Sequence, residues 1–241
     1  MTISFSGLTF EVRLLYPGTE HYFTDFLAGS DSPAACLQVT QEDLLRASCY
    51  CPPDATPEFL ETVALRRRFA DLLLSYGRCL FHSAAFSFRG KAYLLAGPSG
   101  VGKTTQLNLW RQLYPDEMEL INGDKQALQF QQEGPIWVHA TPWRGKEDLG
   151  GTGSAPLGGI ICLRQSSLDR FSGLPPQSSI LPLLGQFFCT DRTEEHYRLL
   201  LPQLKRLVTE APVWLLENRG GPESARLCHD QILERKECIP C

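Results

Sequence analysis

The stretch Lys91–Trp110, KAYLLAGPSGVGKTTQLNLW, decides the reading of this chain. An apolar run, Tyr93-Leu94-Leu95-Ala96, leads into Gly97-Pro98-Ser99-Gly100-Val101-Gly102-Lys103-Thr104, followed by Thr105. That order matches G-x-x-x-x-G-K-[ST] at each fixed position. Leu107, Trp110 and Leu113 then recur at helical spacing. The glycines permit backbone angles closed to other residues, so successive N–H groups can turn onto phosphate oxygens. A helix N-terminus adds partial positive charge at the same place. Lys103 would reach the β- and γ-phosphates of a nucleotide, and the Thr104 hydroxyl would bind Mg²⁺. Residues 97–105 are therefore the expected ATP site. The motif leaves open whether the phosphate is transferred, hydrolysed or only sensed.

Working outward, Cys79–Phe88 and Lys91–Ala96 read as two strands around the turn Arg89-Gly90, with His82 on the first. The glycine-loop strand is thus expected to pair antiparallel with its predecessor. After the helix comes the apolar run Met118–Ile121, then Asn122-Gly123-Asp124-Lys125. An acid closing an apolar strand is placed to bind Mg²⁺ directly or through water, which nominates Asp124. Glu217, at the end of Val213–Leu216, is the competing position. Gly158–Leu163 reads as a strand and Ser179–Cys189 as a helix. Thr193 caps a helix to about Val208, and Pro222 opens a last one to about Lys236.

Upstream, residues 3–15 alternate apolar and polar around Gly7, the pattern of a β-hairpin or a bent strand. Ala35–Thr40 reads as a strand and Gln41–Ser48 as a short helix. Thr56 caps a longer helix with Pro57 at its first position. Arg66-Arg67-Arg68 lies on that helix, where three neighbours cannot share one face, so a solvated surface is expected, with a contact to an anionic substrate as the alternative.

Composition narrows the class. With 241 residues, 43% of them apolar, the chain can bury a real core. A net charge of -4 argues against nucleic acid as the main ligand. The N-terminal MTISFSGLTF lacks a basic, then apolar, export signal, and no apolar run has membrane length, so a cytoplasmic protein with no membrane partner is expected. Nine scattered cysteines read as reduced thiols. Cys49-x-Cys51 and Cys238-x-x-Cys241 are poorly spaced for zinc, and none is expected.

Two features carry a resemblance. Asp124 follows Lys103 by only 21 residues, and a hairpin strand bearing His82 precedes the glycine loop. Both resemble the catalytic domain of HPr kinase/phosphorylase, a P-loop group related to ATP-dependent phosphoenolpyruvate carboxykinase. The glycine-rich Gly150–Gly159 before a strand fits the same pattern. The segments Thr141–Glu147 and VWLLENRGGPESARL look like uncharacterised bacterial relatives, some of them encoded beside ribosomally made peptides. The resemblance covers roughly residues 79–236. It implies an α/β P-loop domain over residues 76–241, with a mixed, partly antiparallel sheet flanked by helices. Residues 1–75 are expected to form a small N-terminal α+β region.

The implied activity is an ATP/Mg²⁺-dependent kinase acting on a hydroxyl of a protein, peptide or small metabolite, with a homo-oligomer as the family habit. Lys103, Asp124 and His82 would be its catalytic residues, with Thr104 and Asp124 on the metal. The chain departs from the pattern at one position. The family's acidic pair aligns with Gly123-Asp124, so the first acid, the usual proton acceptor, is missing. Glu147 is the expected substitute, with Asp148 beside it, and Arg144 and Lys146 could offset transition-state charge. The missing acid also keeps two alternatives open: a non-catalytic nucleotide sensor or accessory of a peptide-modification cluster, and a small NTPase.

Overall fold

The computed structural model describes residues 1–29, 32–190 and 193–234. The hairpin at the N-terminus forms as β1 (Thr2–Phe5) and β2 (Leu8–Arg13), and β3 (Ala35–Gln38) joins β2 in parallel. A 3-10 helix over Pro17–Phe26 lies between β2 and β3. Helices α1 (Gln41–Ser48) and α2 (Pro57–Ser75) follow. Thr56 accepts from Phe59 N as its sequence foretells, and Thr40, read as a strand end, forms a reciprocal capping box with Asp43.

The central sheet is built on two long strands, β4 (Arg78–Phe88) and β9 (Ser154–Gln165). Between them in the chain come β5 (Lys91–Ala96), α3 (Lys103–Leu113), β6 (Met118–Asn122), β7 (Lys125–Gln129) and β8 (Trp137–His139). After β9 the chain runs through β10 (Arg170–Gly173), α4 (Pro176–Leu184), β11 (Phe187–Phe188), α5 (Glu194–Glu210), β12 (Val213–Asn218) and α6 (Pro222–Glu234). The strand order is β10-β12-β9-β5-β4-β7-β8, with β6 and β11 also on β4. β5, β9 and β12 are parallel, and β4 is antiparallel to β5. This is an α/β fold with a mixed, partly antiparallel sheet flanked by helices. Because β8 also pairs with the start of β9, the neighbours β4, β5, β9, β8 and β7 close into a ring.

Strand periodicity sorts the core into two faces. Ala84, Phe86, Phe88, Tyr93, Leu95, Ile161, Leu163, Trp214 and Leu216 pack with Leu107 and Trp110 of α3 and with Ala225, Cys228 and Ile232 of α6. The alternating set, including Ala85, Leu94, Ala96, Ile160 and Cys162, packs toward α2, α5 and the N-terminal sheet. Glu61 ties that sheet down. It is fully buried on α2 and accepts from Leu15 N (2.6 Å), Tyr16 N (3.1 Å) and the Thr19 hydroxyl (2.6 Å).

The helix expected over Ser179–Cys189 is shorter and earlier. It ends at Leu184 before Gly185, and Phe187 and Phe188 become strand residues opposite Phe81 and Leu80. Backbone pairing to β4 thus overrides the apolar helical pattern there. Strands β7, β8 and β10 were not legible in the sequence. The expected end of the last helix, Lys236, lies outside the described residues. No helix among the described residues is long and apolar enough to cross a membrane.

Candidate nucleotide and phosphoryl-transfer site

The loop after β5 has the geometry its glycines foretell. Gly97, Gly100 and Gly102 take φ of +147°, +81° and +106°, a region that favours glycine. Pro98, Ser99 and Gly100 are exposed, Val101 and Gly102 partly so. Gly102 precedes α3 without a side-chain cap, and no acid lies in the helix's first turn. The N–H groups of Lys103, Thr104 and Thr105 therefore start a helix that no anionic side chain among the described residues caps. The Lys103 ammonium is buried and bonds back to the carbonyls of Gly97 (2.8 Å) and Pro98 (3.1 Å). It has no carboxylate partner within 4.0 Å among the described residues, and burial pushes its pKa down. A buried cation resting on loop carbonyls, at a helix start open to anions, fits the phosphates of a nucleotide. Gln165, at the end of β9, donates to Gly100 O (3.3 Å) and steadies the tip.

Asp124 does not end a strand. β6 stops at Asn122 and β7 starts at Lys125, so Gly123-Asp124 forms a bend between two strands that both lie along β4. Asn122 makes the bend: buried, it accepts from Asp124 N (2.9 Å) and Lys125 N (3.1 Å) and donates to Thr141 O (2.8 Å). That self-bonding turn is what an Asn-Gly pair supplies.

The bend brings charged groups together. Asp124 Oδ1 lies 2.8 Å from Lys125 Nζ and 3.2 Å from His82 Nε2. Burial works against the Asp124 charge, but the His82 hydrogen bond and the Lys125 charge outweigh it and hold the carboxyl well below the usual range. The hydrogen bond to Asp124 favours protonated His82, yet burial, Lys125 and Lys103 together push its pKa down. His82 is then a neutral imidazole at pH 7, donating Nε2–H to the carboxylate. Asp124 Oδ2 carries no hydrogen bond among the described residues.

The solvated surface expected for the three arginines holds for Arg68, which is exposed, whereas Arg66 and Arg67 are half-buried; the Arg66 guanidinium lies 5.1 Å from the centroid of the Phe188 ring. Lys125 Nζ lies 5.7 Å from the same centroid. Sequence reasoning also missed Asn122 and Lys125; the Asn-Gly dipeptide was the available signal for the first, and none marked the second.

The absence of an acid at 123 has a steric counterpart. A Cβ there would meet Leu149 O at 2.9 Å, Leu149 Cβ at 3.0 Å and Arg144 O at 3.1 Å. Gly123 N also donates to Leu149 O at 2.6 Å. The segment 144–149 thus occupies the space a side chain at 123 would need. The N-terminal region anchors that segment. Trp143 packs among Phe5, Phe23 and Phe69 and donates to Thr62 O (3.1 Å). Arg144 turns to Asp25 (2.6 Å) and over the Phe26 ring, away from the Asp124 group. Glu147, Asp148 and Lys146 are exposed on the segment. Glu217 is engaged elsewhere, 3.4 Å from Arg164. Cys49 is exposed and Cys51 partly buried, while Cys238 and Cys241 lie outside the described residues.

No protein-family model and no curated protein matches this chain. Among solved structures, it is similar to the Hpr(Ser) kinase/phosphatase from Coxiella burnetii. The match covers 66% of this chain and 93% of that one, at 12% identity and a TM-score of 0.36. A likeness that distant does not speak to activity, so the chemistry of this site has to be argued from its own residues.

Proposed function

We propose that the protein is an ATP- and Mg²⁺-dependent phosphotransferase that moves a γ-phosphoryl group to a hydroxyl. The observation that carries the reading is the buried Lys103, unpaired with any acid, at an uncapped helix start in the same charged group as Asp124 and His82. In this reading the loop amides and Lys103 hold the β- and γ-phosphates. Thr104 and the free oxygen of Asp124 would hold Mg²⁺, which supplies charge neutralisation between the phosphates. His82 donates to Asp124 and keeps that carboxylate oriented and ionised.

A bond forms from the acceptor oxygen to the γ-phosphorus, the bond to the β–γ bridging oxygen breaks, and ADP leaves. The hydroxyl proton goes to a carboxylate; with position 123 closed, Glu147 on the covering segment is our candidate. Such a base is worth about 10²–10⁴-fold. Positioning and electrostatics supply much of the remaining rate.

A second reading is supported by one observation. The family's proton-acceptor position is filled by backbone, and Lys125 already neutralises Asp124, which suits a sensor that binds nucleotide without transfer. Labelled ATP with candidate hydroxyl acceptors separates the readings. Transfer that Glu147→Gln reduces strongly supports the kinase, phosphate release without acceptor supports an NTPase, and binding alone supports the sensor. The site itself is tested by nucleotide-dependent thermal stabilisation. Lys103→Ala should abolish it and Asp124→Asn weaken it with Mg²⁺ present, while Glu217→Gln leaves it intact. Equal shifts in wild type and Lys103→Ala would remove the assignment.

A further inference from the structure

Arg66 is a half-buried arginine whose guanidinium has no acceptor among the described residues. Its Nε is shielded from solvent with no hydrogen-bond partner, and among the described residues the group makes neither a hydrogen bond nor an ion pair within 4.0 Å. The guanidinium lies over the Phe188 ring, 5.1 Å from its centroid. Buried polar groups are nearly always paired, and an arginine offers five donors in a fixed fork. Stacking on a ring orients that fork without satisfying it.

The surroundings say what is lacking. Lys125 shares the Phe188 ring, and Lys103 belongs to the same charged group. Against these three cations stands one carboxylate, Asp124, already bonded to Lys125 and His82. The group therefore carries excess positive charge in a partly desolvated place, where an oxyanion is strongly favoured.

Lys125, bonded to Asp124, is also near enough to Lys103 of the nucleotide loop and to Arg66 to feel the charge of each.

We propose that Arg66 and Lys125, walled by Phe188, form an oxyanion subsite for the acceptor, so that the substrate is a hydroxyl compound carrying its own carboxylate or phosphate group. This rests on the phosphotransferase reading for the word acceptor; the anion subsite itself does not depend on it. The fork of Arg66 would grip two oxygens of the anion, and Lys125 would add a point charge. The anion would hold the hydroxyl in line with the γ-phosphate, which converts binding into positioning. Arg66 comes from α2, which gives the N-terminal region a part in substrate choice.

The test uses full-length protein saturated with Mg²⁺ and a non-hydrolysable ATP analogue, so that the γ-phosphate position is filled. Inorganic phosphate and acetate are titrated separately, read by thermal shift and calorimetry. Wild type should bind one of them; preference for phosphate points to a phosphorylated acceptor, preference for acetate to a carboxylate. Arg66→Gln should weaken that binding by about ten- to a hundredfold, the worth of a charged hydrogen-bonded contact, with analogue binding unchanged. Arg66→Lys, which keeps the charge and loses the fork, should fall between. A merely structural Arg66 would lower the melting temperature of both variants and leave the anion-induced shift intact, which overturns the proposal. So would the absence of any anion effect in the wild type. If the analogue itself does not bind, the phosphotransferase reading fails first. Phosphate is then titrated into the unloaded protein, where the same dependence on Arg66 decides the subsite separately.

Discussion

Gly123→Ala tests whether the missing acid is a vacancy or an exclusion. The added methyl would sit 2.9 Å from Leu149 O, 3.0 Å from Leu149 Cβ and 3.1 Å from Arg144 O. Two of these are backbone atoms, which cannot rotate away. The backbone at Gly123 is not in the left-handed region, so the penalty is steric alone. Relief requires the 144–149 segment to lift, stretching the 2.6 Å bond from Gly123 N to Leu149 O against the anchor of Trp143. Overpacking of this kind costs about 1–3 kcal/mol. For a chain of this size that is a drop of about 2–12 °C in melting temperature. Gly153→Ala is the control: nothing lies within 4 Å of its added Cβ and its φ is unexceptional. It should be neutral or stabilise by up to about 1 kcal/mol. Differential scanning fluorimetry with urea titration reads both. Equal stability of the Gly123 and Gly153 variants would refute the exclusion. Gly123→Asp follows the same logic and should be at least as destabilised, without a gain in phosphoryl transfer; faster transfer would show that the site simply lacks its base.

Two further outcomes rest on burial. Glu61→Ala leaves Leu15 N, Tyr16 N and the Thr19 hydroxyl without an acceptor, and should cost about 2–5 kcal/mol by urea denaturation, since each orphaned donor costs about 1–3; a loss below about 1 kcal/mol would mean that the N-terminal segment is not held there. Burial, with Arg78 nearby, pushes the His139 pKa from 6.5 down to about 4, so the fold keeps this imidazole neutral while the unfolded chain protonates it below 6.5. Stability is then unaffected above that value and falls as pH drops from 6.5 towards 4, by about 2 kcal/mol at pH 5. His139→Gln should lose correspondingly less between pH 7 and pH 5, and parallel stability curves for the two proteins would disprove the shift.

What the sequence determined by itself is what lies within one contiguous stretch. The loop Gly97–Thr105, its strand and its helix were legible because their geometry follows from glycine conformations and apolar spacing over twenty residues. The antiparallel pairing of β4 and β5 followed from the short turn Arg89-Gly90, and the cap at Thr56 from local hydrogen bonding. The reason for nominating Asp124 was partly mistaken: it sits in a bend made by Asn122, not at a strand end.

Only the tertiary structure decided the company Asp124 keeps. Arg66 and Lys125 reach the same Phe188 ring because β7 and β11 both pair with β4 while α2 packs on that strand. Gly123 meets Leu149 because Trp143 is drawn into an aromatic cluster with residues of β1, the 3-10 helix and α2. Such contacts join residues tens of positions apart, and no local propensity encodes them. Strand register and the burial of large side chains fix them, and those energies exist only once the chain has closed.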